Sequence, residues 1–293
     1  MHRILLIILL LIMGCSQLPS PNLSTAKPVK HWSKLSLREK VAQMIMVRIR
    51  GDYYHGEHWY RKSLKKWLSE DGIGGVISFG GSIHGTFYNI QTFQNWAKIP
   101  LLVSADYERG LGQWMRGATL FPSNMAVAAT GNTDLSYQQG QVTASEANAI
   151  GVHVTLAPVL DVNNNPDNPI INFRSYSDDP DMVIDYGNAF IKGVQDGGIY
   201  ACAKHFPGHG NTNTDSHSSL PSIMGTRKQL DAVELKPFRS AIENGVKMVM
   251  VGHIAMPGLD PSNDPASYSK LIITGLLRDE WGFDGLIITD GME

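Results

Sequence analysis

The chain has 293 residues, 43% of them apolar and 18% charged, enough for one large domain with a well-buried core. A formal charge of −2 excludes a surface built to hold phosphate backbones, so nucleic acid is not an expected partner.

The N-terminus reads as a leader. Met1-His2-Arg3 is mildly basic, and residues 4–13 are an unbroken apolar run. As a helix that run rises only about 15 Å, half a bilayer core, which suits a signal-peptide core better than a spanning segment. It ends in IMGC at 12–15, which resembles a lipobox with Cys15 as the lipidated residue. Residues 1–15 are therefore expected to be a lipoprotein signal, with a lipid anchor holding the protein to the membrane in a bacterial cell envelope. Ser16 after the cysteine, rather than Asp, fits outer-membrane sorting in a Gram-negative cell, the cell membrane being the alternative. Residues 16–33 are rich in Pro, Ser and Asn without periodicity and read as a flexible tether. With Cys15 lipidated, Cys202 has no disulfide partner, and its apolar surroundings place it in the core.

From residue 34 onward one domain is expected. Ser36 and Glu39 have capping-box spacing and open a short helix carrying Val41 and Met44. Apolar strand-like runs follow at 45–49, 75–79, 101–105, 153–159, 200–204, 248–252 and 286–289. Helical stretches lie between them near 57–69, 86–97, 133–149, 180–196, 227–243 and 269–281. Short apolar runs alternating with helices predict an α/β fold with a buried parallel sheet. No glycine-rich loop has the strand-then-helix context of a nucleotide fingerprint.

A doubly wound sheet and a (β/α)8 TIM-type barrel both suit this order. Asp106, Asp161, Lys204 with His205, His253 and Asp290 each fall at the C-terminal end of a different strand run. Polar groups from that many strand ends are expected at the top of a barrel, whereas an open sheet gathers its ligands at one switch point. The barrel is favoured. Seven strand runs are visible and the chain stops three residues after Asp290, so the barrel is expected to be truncated after its seventh strand.

The segment 204–217, KHFPGHGNTNTDSH, holds three histidines, a lysine and an aspartate, shaped by Pro207, Gly208 and Gly210. Asp215 and His217 are two apart, so an extended backbone points both the same way, and a small bend would set the carboxylate on the imidazole. That contact would make His217 a proton donor and acceptor near neutral pH. A metal site built from His205, His209, Asp215 and His217 competes with this reading. Asp290, where a buried strand emerges, reads equally as a catalytic carboxylate or as the cap of a following helix.

KHFPGHG at 204–210 followed by Asp215-Ser216-His217 resembles the signature of glycoside hydrolase family 3, in its β-N-acetylglucosaminidase branch. LSLREKVAQM at 35–44, ADYERG at 105–110, APVLDV at 157–162, FRS at 173–175 and ITD at 288–290 are similar to further motifs in the same order. The resemblance implies a retaining β-N-acetylhexosaminidase without metal or organic cofactor. It implies Asp290 as nucleophile and His217, oriented by Asp215, as acid/base; the family's β-glucosidases take their acid/base from elsewhere. Asp106, Arg174, Lys204 and His205 would bind the sugar hydroxyls, on a carbohydrate substrate from peptidoglycan or chitin. Arg109 departs from the family's Gly-Gly pair, placing a guanidinium near the sugar or in an ion pair that locks the loop. His253 reads as a pocket wall or a structural residue, and Glu146 and Asn148 as surface or capping residues. A β-glucosidase or β-xylosidase, a phosphorylase, and a non-catalytic sugar-binding barrel are the rival functions. The oligomeric state is not legible.

Overall fold

The computed structural model describes residues 32–214 and 219–292. Cys15 and its tether up to residue 31 lie outside these, and so do Asp215 and His217.

Seven parallel strands form one sheet in strict chain order. They are β1 (Met46–Gly51), β2 (Gly75–Gly81), β3 (Leu102–Ala105), β4 (Val154–Thr155), β5 (Tyr200–Phe206), β6 (Met248–Val251) and β7 (Leu286–Thr289). Each strand pairs with its sequence neighbour, and the order never reverses. A doubly wound sheet must reverse at its switch point, so the winding is of the barrel type.

The two faces of the sheet bury different sets of residues. Val103, Ala105, Ala201, Ala203, Val249 and Val251 join the large core beneath the helices. The alternate residues Leu102, Cys202, Met248, Met250 and Ile288 join a smaller cluster with Val154, Leu156 and Ile77 on the other face. The period of two along each strand divides them. Two residues beyond Ser104, Cys202 and Ile288 on that inner face stand Asp106, Lys204 and Asp290, at the C-terminal ends of β3, β5 and β7. The inner face thus turns from apolar to charged at its top.

The helices follow the sequence signals closely. The first, α1 (Leu37–Gln43), opens on the expected box: Ser36 Oγ accepts from Glu39 N at 3.3 Å and Ser36 N donates to Glu39 Oε2 at 2.7 Å. Next come α2 (Trp59–Lys66), α3 (Ile83–Trp96), α4 (Asn124–Ala128), α5 (Thr133–Ala149) and α6 (Pro180–Asp196). The single helix expected over 227–243 is instead two, α7 (Arg227–Ala232) and α8 (Lys236–Glu243). Val233 leaves helical geometry at φ −127°, ψ −77°, and Pro237, which lacks an N–H, stands in the first turn of α8, where none is needed. The stretch near 269–281 winds as a π-helix over Leu271–Glu280.

The strand expected over 153–159 is regular only at Val154–Thr155. Pro158 has no N–H for a ladder, yet the segment keeps company with β5: Cys202 N donates to Ala157 O at 2.9 Å and Leu160 N to Lys204 O at 2.7 Å. That arrangement carries Asp161 to the level of His205.

Candidate active site

Lys204 has its whole side chain buried, with Nζ 2.6 Å from Asp106 Oδ1 and 2.8 Å from Glu108 Oε1. Arg174 closes on the same Glu108 carboxylate with both edges of its fork, Nε to Oε2 at 3.0 Å and Nη2 to Oε1 at 2.8 Å. Asp106, Lys204, Glu108 and Arg174 therefore alternate in sign along one connected wall. Burial pushes the Glu108 carboxyl up, but Lys204 and Arg174 outweigh it and hold the group well below the usual carboxylate range. Burial opposes the Lys204 charge, and Asp106 and Glu108 outweigh that, so its ammonium is held above the ordinary lysine value. The bidentate geometry explains why an arginine, not a lysine, serves at 174.

His205 continues the chain. Its Nδ1 is 2.7 Å from Asp161 Oδ2, and its Nε2 is 3.4 Å from Arg174 Nη2. A guanidinium can only donate, so Nε2 accepts and the ring proton sits on Nδ1 against Asp161. Asp161 is fully buried and also accepts from His205 N at 3.2 Å and His209 N at 2.6 Å. Burial works against its charge, but His205 and His209 outweigh that and keep its carboxyl below the ordinary value.

The loop after β5 is pinned from beneath. Asn168 Nδ2 donates to His209 O at 2.8 Å and Gly210 O at 2.9 Å, and its Oδ1 accepts from Ile170 N and Ile171 N. His209 Nδ1 meets Thr212 Oγ1 at 2.7 Å, and burial lowers the imidazole's proton affinity. Gly210 is required by contact: a Cβ there would stand 1.7 Å from Val162 O. Gly208 has φ +125° and packs on Glu234, the residue delivered by the break between α7 and α8.

Asp290 is half-buried, and its backbone N donates to Val251 O at 2.9 Å, holding it to the end of β6. His253 bridges Ser267 Oγ at 2.6 Å and Gly291 O at 2.9 Å, tying the β6 and β7 ends together. Glu146 receives Thr119 N at 3.2 Å and Thr119 Oγ1 at 2.5 Å, a capping role for the loop after Asp106. The Arg109 side chain forms no ion pair among the described residues; its backbone N donates to Gln113 Oε1 at 3.1 Å.

Of the residues singled out from sequence, the structure brings together Asp106, Arg174, Lys204 and His205, and Asp290 follows Ile288 on the same inner face of the sheet. Asp215 and His217 lie outside the described residues. Glu108 and Asp161 are essential to the arrangement and were not assigned to it. Glu108 is two residues from Asp106, the spacing that shares a face in extended chain, and that signal was legible. Asp161 stood out as a strand-end carboxylate, but only the fold reveals that it serves His205. As for a metal, both ring nitrogens of His205 are engaged. Among the described residues no three His, Cys, Asp or Glu side chains group to hold an ion.

A wall of alternating donors and acceptors suits a polyhydroxylated ligand, and a carboxylate at its edge can attack an electrophilic carbon or balance a cation. Comparison with known proteins narrows this. The glycosyl hydrolase family 3 N-terminal domain matches residues 36–293. Beta-hexosaminidase A of Pseudoalteromonas piscicida is 34% identical over 259 residues, covering 78% of this chain and 42% of the relative. The solved family 3 β-N-acetylglucosaminidase of Paenibacillus sp. FPU-7 superposes with a TM-score of 0.82 at 39% identity, over 87% of this chain and 49% of that one. A β-glucoside phosphorylase superposes with the same TM-score of 0.82 at 30% identity, over 88% of this chain and 47% of that one. The chain thus spans less than half the length of each of these three.

Proposed function

Because the chain belongs to glycoside hydrolase family 3, we propose that it carries the catalytic half of a retaining β-N-acetylhexosaminidase. Asp290 attacks the anomeric carbon and forms a glycosyl-enzyme. His217, oriented by Asp215, protonates the leaving oxygen and later takes the proton of the attacking water. Retention requires the two groups on opposite sides of the bond, about 5–5.5 Å apart in the carboxylate-pair version of the mechanism. A histidine in place of the second carboxylate avoids like-charge repulsion with Asp290.

The observation that carries the reading is the placement of Asp290 on the same inner face as Asp106 and Lys204, two residues past Ile288. The charged wall gives the sugar its contacts: Asp106, Arg174, Lys204 and His205 take the hydroxyls in the subsite that receives the cleaved residue. Glu108 holds Lys204 and Arg174 in place, Lys204 in turn holds Asp106, and Asp161 holds His205. The substrates are terminal β-linked N-acetylglucosamine units of peptidoglycan fragments or chito-oligosaccharides. No metal or organic cofactor takes part. A lipid at Cys15 holds the enzyme at the cell envelope through the tether up to residue 33. The sheet is the greater part of a closed (β/α)8 barrel, an eighth strand lying between the outer strands β7 and β1.

The test uses the natural full-length protein. It should release p-nitrophenol from the β-N-acetylglucosaminide and hardly from the β-glucoside. Asp290→Ala should reduce the rate by roughly 10⁴-fold or more, as nucleophile removal does elsewhere. Equal activity on both sugars, or persistence in the variant, would sink the assignment.

The likeness to a β-glucoside phosphorylase supports a second reading, in which phosphate replaces water. An uncharged imidazole base tolerates an incoming phosphate that a carboxylate would repel. Product analysis separates the two: the sugar 1-phosphate accumulates with added phosphate only if phosphorolysis operates.

A further inference from the structure

A second cavity opens at the C-terminal ends of β1 and β2, with a volume of about 500 Å³. The turn after β1, the first turns of α3 and Arg116 form its walls. None of its lining residues belongs to the wall of Asp106, Glu108, Arg174 and Lys204 or to the His205–Asp161 pair.

Its charge is lopsided. Arg61, His84 and Arg116 line it, and none of the three forms an ion pair with a described residue. The carboxylate in the lining, Asp52, is already held by Arg50 at 2.8 Å. The Arg61 guanidinium lies over the Trp96 ring, 4.8 Å from its centroid, which restrains it before any ligand arrives.

The site is rigidly built. Buried Asn89 donates to Arg50 O at 2.7 Å and to Asp52 O at 3.0 Å, clamping the turn after β1. Gly51 and Gly85 pack so closely that a Cβ on Gly85 would stand 2.1 Å from Gly51 O. Beneath Gly51 the Thr86 hydroxyl is fully buried and has no hydrogen-bond partner. Two tyrosine rings, Tyr53 at 84% exposure and Tyr88 at 67%, flank the opening.

We propose that this cavity is a second carbohydrate site, taking a sugar that bears a carboxylate or a phosphate. The uncompensated guanidinium groups recognise the anion, and the tyrosines supply apolar faces and hydroxyls for the ring. A bare anion would leave most of the volume empty, whereas the cavity lies within the usual range for ligand-sized pockets. The inference stands apart from Asp290 chemistry and holds whether or not the chain is a hexosaminidase.

The experiment is calorimetric titration of the full chain with glucuronate, glucose 6-phosphate, glucose and inorganic phosphate. The two anionic sugars should bind, with glucose and inorganic phosphate each about tenfold weaker or more. Arg116→Gln with His84→Gln, both at exposed side chains, should weaken anionic-sugar binding about tenfold while the thermal midpoint holds; Arg61→Gln should do the same. Excess N-acetylglucosamine should not displace the anionic sugar. Glucose binding as tightly as glucuronate, inorganic phosphate as tightly as glucose 6-phosphate, unchanged binding in the variants, or displacement by N-acetylglucosamine would each overturn the proposal.

Discussion

The Nδ1 of His205 lies 2.7 Å from Oδ2 of Asp161, a carboxylate with no solvent exposure. That contact joins the strand-end wall to the loop that follows it, because Asp161 also accepts the His209 backbone N–H at 2.6 Å. One buried charge therefore sets both the imidazole's tautomer and the start of the loop.

Asp161→Asn tests this. An amide keeps the shape but offers only one oxygen, so its NH2 group must face either the His209 N–H or the His205 donors. Leaving buried donors unpaired costs about 1–3 kcal/mol each. The urea midpoint should fall by an amount worth about 3 kcal/mol with an unchanged slope. A loss under about 1 kcal/mol would show that Asp161 is not the organising charge.

Glu108→Gln probes the wall. Lys204 would keep only Asp106, and Arg174 would lose the carboxylate it grips with two bonds. Breaking a buried pair costs about 3–5 kcal/mol, because the surviving charge stays buried. Chemical denaturation should show that loss. Asp52→Asn, at an exposed Arg50 pair, should cost about 1 kcal/mol or less.

The pH profile of stability follows from the same groups. Glu108 and Asp161 have folded-state carboxyl pKa values below their unfolded ones. Their stabilisation is fully present above the unfolded carboxylate range, about pH 4, and is lost as pH falls through the folded values. Lys204 is raised, so its contribution is complete below the unfolded lysine value, about 10.4, and is lost as pH rises beyond it. Stability measured by denaturant titration should plateau between these limits and fall on both sides. Glu108→Gln should flatten the acid limb; an acid limb identical to that of the parent protein would contradict the assignment.

What was legible in the sequence is what local pattern controls. Short apolar runs between helical stretches located all seven strands, and the two-residue period of a strand sends Asp106, Lys204 and Asp290 to one face. The break at Val233 was not legible, because 227–243 keeps helical periodicity while tertiary contact with Gly208 claims Glu234. For Glu108 the two-residue spacing to Asp106 gives its face, but its partners Lys204 and Arg174 are 96 and 66 residues away along the chain, and only the fold brings them to it.

Gly210→Ala bears on the loop that follows Lys204 and His205. The added Cβ would meet Val162 O at 1.7 Å and Val162 C at 2.4 Å, both backbone atoms that cannot swing aside. The loop must therefore move, and the Asn168 bonds to His209 O and Gly210 O move with it. At Gly56 nothing lies within 4 Å of the added Cβ, so Gly56→Ala serves as control and should stay within about 0.5 kcal/mol of the parent. Gly210→Ala should lose about 2 kcal/mol or more and most of the hydrolytic rate, since a misplacement of about 1 Å costs on the order of a hundredfold. Equal stability and rate in the two variants would mean that the tight approach at Val162 does not position the loop.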